Sequence, residues 1–129
     1  AANFEGIYTF ILGDVSFFYD SNALYINGLS ANFRCVVINN GGGNIFRLID
    51  GPSKQPELEE FFVTNQKRNA GSICAETGIE YFRASNQLEL SEILKVFFEK
   101  SGSPKLLEIF TDGETDASIF KSFKSEFTL

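Results

Sequence analysis

The chain has 129 residues, 43% of them hydrophobic and 22% charged, with 15 Phe and neither Trp nor Met. That length is one domain's worth, enough to bury roughly two-thirds of the surface an unfolded chain exposes. The net charge of −6 and a pI near 4.6 speak against nucleic acid as a partner, because neutralising phosphates takes a basic footprint.

The elements follow in order. IYTFIL (7–12) is a near-continuous apolar run ending at Gly13-Asp14. Its length and β-branched content predict a strand covered on both faces, as in a parallel sheet. SFFYDSNALYIN (16–27) suits a helix stopped by Gly28, and FRCVVI (33–38) is a second apolar strand. It runs into INNGGGNIF (38–46), where three glycines carry a backbone-entropy cost and offer no packing in return. GPSKQP (51–56) is a loop by its turn chemistry, and LEEFF (58–62) a short helix. Ala70, Ile73 and Cys74 fall at helical spacing before Gly78, and IEYFR (79–83) is a short strand. Asn86 with Glu89 marks a helix start, Leu90, Ile93, Leu94 and Phe97 form its apolar stripe, and Gly102 and Pro104 its end. LLEIF (106–110) is the last strand. A final helix carries Ile119, Phe120, Phe123 and Phe127 on one face, with acids early and Lys121 and Lys124 late, as the helix dipole favours. No internal repeat or low-complexity tract interrupts the pattern.

Strands alternating with helices predict an α/β domain, a three-layer arrangement with a parallel sheet flanked by helices, over 1–129 as a single domain. Histidine is absent. That removes Ser-His-Asp and Cys-His nucleophile systems together with the commonest zinc ligand. No apolar run approaches the roughly 20 residues of a membrane span and no signal peptide is recognisable, so the expected location is cytoplasmic. Cys35 and Cys74 read as two buried thiols in a reducing compartment rather than a disulfide. The chain starts at Ala1 without methionine and enters a strand by Ile7, which reads as a processed N-terminus or a piece of something longer.

In parallel sheets ligands sit beyond the carboxyl ends of the strands. Two strands end in notable chemistry: Gly13-Asp14, and Asn39-Asn40-Gly41-Gly42. Separately, Asp14 could be only a helix N-cap, Asn-Asn-Gly only a turn, and the glycines only a connector. Jointly, a carboxylate from Asp14, the side-chain oxygen of Asn40 and a main-chain carbonyl in the glycine loop are the hard donors that Mg²⁺ takes, and bare backbone lets a phosphate approach. No G-x-x-x-x-G-K-[ST] or G-x-G-x-x-G is present, so a P-loop is excluded.

Gly13-Asp14, 24 residues, then Asn39-Asn40 resembles the GD…NN metal and diphosphate motif of thiamine-diphosphate enzymes. Val15-Ser16 follow where most of that superfamily continues with glycine. GDVSFFYDSNAL (13–24), VVINNGGGNIF (36–46) and LLEIFTD (106–112) together resemble the menaquinone-pathway synthase family, over about residues 6 to 124. The resemblance implies the thiamine-diphosphate-binding fold, its diphosphate-binding half, as the C-terminal part of a longer enzyme. It implies thiamine diphosphate and Mg²⁺ (or Mn²⁺) as cofactors, with Asp14, Asn40 and the Gly42 carbonyl as metal ligands. Gly13, Ser16 and Gly43 would contact the diphosphate, and Ile45, Phe46 and Ile49 would line the pocket for thiazolium and substrate; for these three apolar residues, plain core packing is the competing reading. The implied reaction decarboxylates 2-oxoglutarate and adds its succinyl-semialdehyde unit to isochorismate, in a homodimer or homotetramer. The glutamate that activates the cofactor is expected on an N-terminal domain this chain lacks, so no catalytic residue is expected here and the chain alone should be inactive. Arg47 stands where a small polar residue is usual and Asp50 where proline is; Arg47 reads either as a donor to a substrate carboxylate or as a solvated loop residue. Two alternatives remain: another thiamine-diphosphate carboligase of the acetolactate-synthase type, and a non-catalytic phosphate-binding module.

Overall fold

A computed structural model describes residues 5–127. The chain divides into two compact units, one made of the residues up to Asn39 together with Asn69–Phe110, the other of Asn40–Arg68 together with the residues from Thr111 on.

The first unit is a four-stranded, all-parallel sheet. Its strands are β1 (Tyr8–Gly13), β2 (Phe33–Asn39), β3 (Glu80–Ala84) and β4 (Lys105–Phe110), in the order β1-β2-β4-β3. Helices α1 (Asp14–Tyr19) and α2 (Gly71–Thr77) cover one face and α3 (Gln87–Phe97) the other, so the three-layer α/β expectation holds. Side chains alternate along the strands, and the two faces build two cores. Phe17 of α1 and Ala70 and Cys74 around α2 pack on Cys35, Val37 and Leu106; Phe97, Leu90 and Ile93 of α3 pack on Val36 and Leu107. The central strands β2 and β4 are buried on both faces, which is why they read as apolar runs.

β1 departs from expectation. It is an edge strand, with Phe10 and Ile11 57% and 72% exposed rather than covered. An apolar run reports that a strand can be covered on both faces, and the neighbours in the fold decide whether it is. The helix expected over 16–27 is also shorter: α1 closes at Tyr19 and a separate 3₁₀ turn spans Ser21–Tyr25, with Asp20 between them outside helical geometry. α3 begins at the Asn86 cap, whose side chain accepts from Glu89 N at 3.0 Å, and it ends at Phe97, before the expected Gly102. At that end two buried cations meet the last carbonyls. Arg34 donates from Nε to Phe97 O at 2.7 Å and from Nη2 to Glu99 O at 2.8 Å, and Lys105 Nζ donates to Val96 O at 2.7 Å. Positive charge beside the C-terminus of a helix is favoured by its dipole and satisfies its orphan acceptors.

In the second unit, a 3₁₀ turn at Asn44–Arg47, another at Pro52–Lys54 and a single π-turn at Leu58–Phe62 precede α4 (Gly113–Glu126). Asp112 caps α4, accepting from Thr115 N at 2.8 Å. The predicted apolar face of α4, Ile119, Phe120, Phe123 and Phe127, is exposed. No helix among the described residues is long and apolar enough to cross a membrane.

Cys35 and Cys74 are free and buried, as expected. Burial pushes both thiols up to about 12 from an ordinary 9.0. Folding therefore keeps protons that the unfolded chain releases above pH 9, so stability falls as pH rises from about 9 towards 12. At pH 8 both thiols should resist alkylation in the native chain and react on unfolding, which a thiol titration with and without denaturant measures. Replacing Arg34 with Met strands the carbonyls it caps and should cost about 3 kcal/mol, read from the shift in a urea midpoint.

Candidate functional site

Because all strands run the same way, their carboxyl ends form one rim. Gly13 lies opposite Ile38 in the β1–β2 register, so Asp14 and Asn39 come one step later at adjoining strand tips. Gly13 is extended (φ −79°, ψ 161°) and leads into α1, whose first residue, Asp14, is buried; Ser16 is exposed on the same helix. Asn39 is buried as well, and its Nδ2 donates to Glu108 Oε1 at 2.7 Å. Asn40 follows it directly in the chain.

The glycine loop opens the second unit. Gly41 has φ +81° and Gly42 φ +155°, backbone that side chains resist. A Cβ on Gly42 would stand 2.6 Å from Val63 O, and one on Gly43 would crowd the Phe46 ring and Phe62 O at 3.2–3.3 Å. Main-chain bonds run across this contact, from Gly43 N to Val63 O at 2.6 Å and from Gln66 N to Gly41 O at 2.9 Å. Part of the demand for glycine is therefore internal: the 62–66 segment lies where side chains would be. The Gly42 carbonyl accepts from Asn44 N at 2.9 Å, which leaves its second lone pair.

Two amide oxygens here lack partners. Asn40 Oδ1 and Asn44 Oδ1 are both buried and without a hydrogen bond, a state that costs about 1–3 kcal/mol for each neutral group. Gly113 faces the same corner, where an added Cβ would meet Asn40 O at 3.1 Å and Asn44 Oδ1 at 3.3 Å. A neutral amide oxygen that no donor satisfies is the hard ligand Mg²⁺ uses, so the residues present fit a divalent cation. No cluster of three His, Cys, Asp or Glu side chains suited to a metal occurs among the described residues, and the donors here are of the amide and carbonyl kind.

Ile45 and Ile49 are exposed and Phe46 is half-buried with its ring 5.7 Å from that of Phe62. Plain core packing does not account for the two isoleucines. Arg47 Nη2 pairs with Glu59 Oε2 at 2.7 Å, its side chain only 13% exposed, so it is not a solvated loop residue. With Lys121, Glu114 and Ser53 the pair lines a cleft of about 380 Å³.

No family model matches the chain. Among curated proteins it is 47% identical to a protein of Cytophaga hutchinsonii over 90% of its own length, 45% identical to one of Christiangramia forsetii over 80%, and 36% identical to one of Flavobacterium johnsoniae over 92%. All three are named 2-succinyl-5-enolpyruvyl-6-hydroxy-3-cyclohexene-1-carboxylate synthase. It is to a segment of these synthases that the chain is similar. The segment is about a fifth of each relative, 21%, 18% and 22% respectively.

The first unit holds a group that residue patterns missed. Glu108 is fully buried on β4 and accepts from Asn39 Nδ2, from Ala70 N at 2.9 Å and from Tyr81 OH at 2.6 Å. Burial, then the bond to Glu108, raises the Tyr81 phenol well above its usual range. The signal was available: an acid inside LLEIF, an otherwise apolar central strand, has to be paired. Gly42→Ala should destabilise the chain by about 2 kcal/mol or more, because main chain must move. Gly41→Ala, with its nearest contact at 3.6 Å, should cost about 1 kcal/mol for left-handed backbone alone. Denaturation midpoints of the two variants decide that order.

Proposed function

We propose that this chain is the diphosphate-binding part of a 2-succinyl-5-enolpyruvyl-6-hydroxy-3-cyclohexene-1-carboxylate synthase of menaquinone biosynthesis, dependent on thiamine diphosphate and Mg²⁺ or Mn²⁺. The observation that carries the reading is the buried, unpartnered Asn40 Oδ1 directly after a strand tip that adjoins Asp14. In this reading Asp14, Asn40 and the Gly42 carbonyl hold the cation. Gly13, Ser16 and Gly43 approach the diphosphate, where exposed backbone and a hydroxyl meet an anion without side-chain obstruction. Ile45, Phe46 and Ile49 give an apolar wall that excludes water from the reacting end; the exposure of both isoleucines in this chain leaves them available for that.

The bound cofactor would supply the electron sink for decarboxylating 2-oxoglutarate and for joining the remaining unit to isochorismate. This chain's own residues bind and orient; the group that activates the cofactor is contributed by a further domain, in a cytoplasmic homodimer or homotetramer. Melting of the full-length polypeptide tests the assignment. Mg²⁺ with thiamine diphosphate should raise the Tm, by the equivalent of about 2.7 kcal/mol at a hundredfold excess over Kd, and Mg²⁺ with ATP should not. Equal shifts with both ligands, or none with thiamine diphosphate, would overturn it. The 129-residue chain, given both cofactors and both substrates, should form no product.

A further inference from the structure

We propose that Glu108 is a positioning residue for the Asn39–Asn40 corner and so sets the divalent-ion affinity of the site. This inference rests on the cofactor reading above. Glu108 is fully buried in the middle of a parallel sheet, where an apolar side chain would fill the space without the desolvation a carboxylate incurs. What a carboxylate adds there is direction. Its Oε1 takes one donor, Asn39 Nδ2 at 2.7 Å, and its Oε2 takes two, Ala70 N at 2.9 Å and Tyr81 OH at 2.6 Å. The second oxygen is thereby anchored to β3 and to the residue leading into α2. The first is then fixed in space and clamps the Asn39 amide at the tip of β2. Asn39 is bonded directly to Asn40, whose Oδ1 is the buried oxygen without a partner. The orientation of the Asn39 peptide is thus specified from β4, on the far side of β2 from Asp14.

The donor count makes the device testable without changing its shape. In Glu108→Gln the single amide oxygen can serve the two-donor side only if the NH₂ faces Asn39 Nδ2. Two donors then oppose each other, and the Asn39 amide must turn over. Asn39→Asp in the same molecule restores an acceptor opposite that NH₂, so the pair is rebuilt with its proton reversed. Phe97→Leu, a core truncation on the opposite face of the sheet, serves as a control for lost stability alone.

The measurement is Mn²⁺ binding to the full-length polypeptide at saturating thiamine diphosphate, followed by the paramagnetic resonance of free Mn²⁺, with Tm recorded for each variant. Glu108→Gln should weaken Mn²⁺ about tenfold, and the Asn39→Asp/Glu108→Gln double variant should return to within about threefold of wild type. Phe97→Leu should lower the Tm and leave the Kd unchanged. An unchanged Kd in Glu108→Gln, no recovery in the double variant, or an equal loss in Phe97→Leu overturns the positioning role while the cofactor reading stands. Wild-type protein that takes up no Mn²⁺ overturns that reading itself, and Glu108's role with it. If Glu108→Gln does not fold, Asn39→Ala carries the test, and wild-type Mn²⁺ affinity there overturns the proposal.

Discussion

A carboxylate with no access to water holds the carboxyl end of the sheet together. Glu108 gathers an amide from β2, a main-chain N–H from the start of α2 and a phenol from β3. Burying a charge is costly unless its partners are well aimed, and removing one partner from such a set exposes the full penalty. The same property makes the cluster rigid: each donor is positioned by a different element, and loss of the Asn39 amide would strand Oε1. At the opposite end of the strands Arg34 and Lys105 play the complementary part, filling the last carbonyls of α3 with positive charge. The sheet is thus tied by an acceptor near its carboxyl ends and by donors near its amino ends, with two apolar cores between.

The glycine loop does two jobs at once. Its backbone is crowded by the 62–66 segment, which explains Gly42 and Gly43 through packing. It also carries two buried amide oxygens that nothing in the described chain satisfies. Such atoms are uncommon, since native structures pair nearly all their buried polar groups. The loop's glycines therefore serve its own fold first.

Apolar surface collects at two places, β1 with Phe10 and Ile11 and the face of α4 with Ile119, Phe120, Phe123 and Phe127. Successive strand side chains point to opposite faces, so Phe10 and Ile11 expose apolar surface on both sides of the sheet edge. The relatives are about five times the length that this chain matches, and much of a relative's surface area lies outside the segment they share.

The alternation of strands and helices, the parallel sheet, the caps at Asn86 and Gly78 and the two buried thiols were all legible in the residues. Each depends on periodicity or on a local backbone preference, and neighbours in sequence carry that information. The GD…NN spacing likewise marked which strand ends to examine, since parallel strands must share a rim. Three things were decided only by tertiary structure. β1 became an edge because no further strand among the described residues pairs with it; α1 stopped at Tyr19 because Asp20 left helical geometry; and the lone acid of LLEIF became the centre of a network because three separate elements brought it donors. Hydrophobic pattern specifies what a segment can bury, whereas pairing a buried charge requires partners whose proximity exists only once the chain has closed on itself.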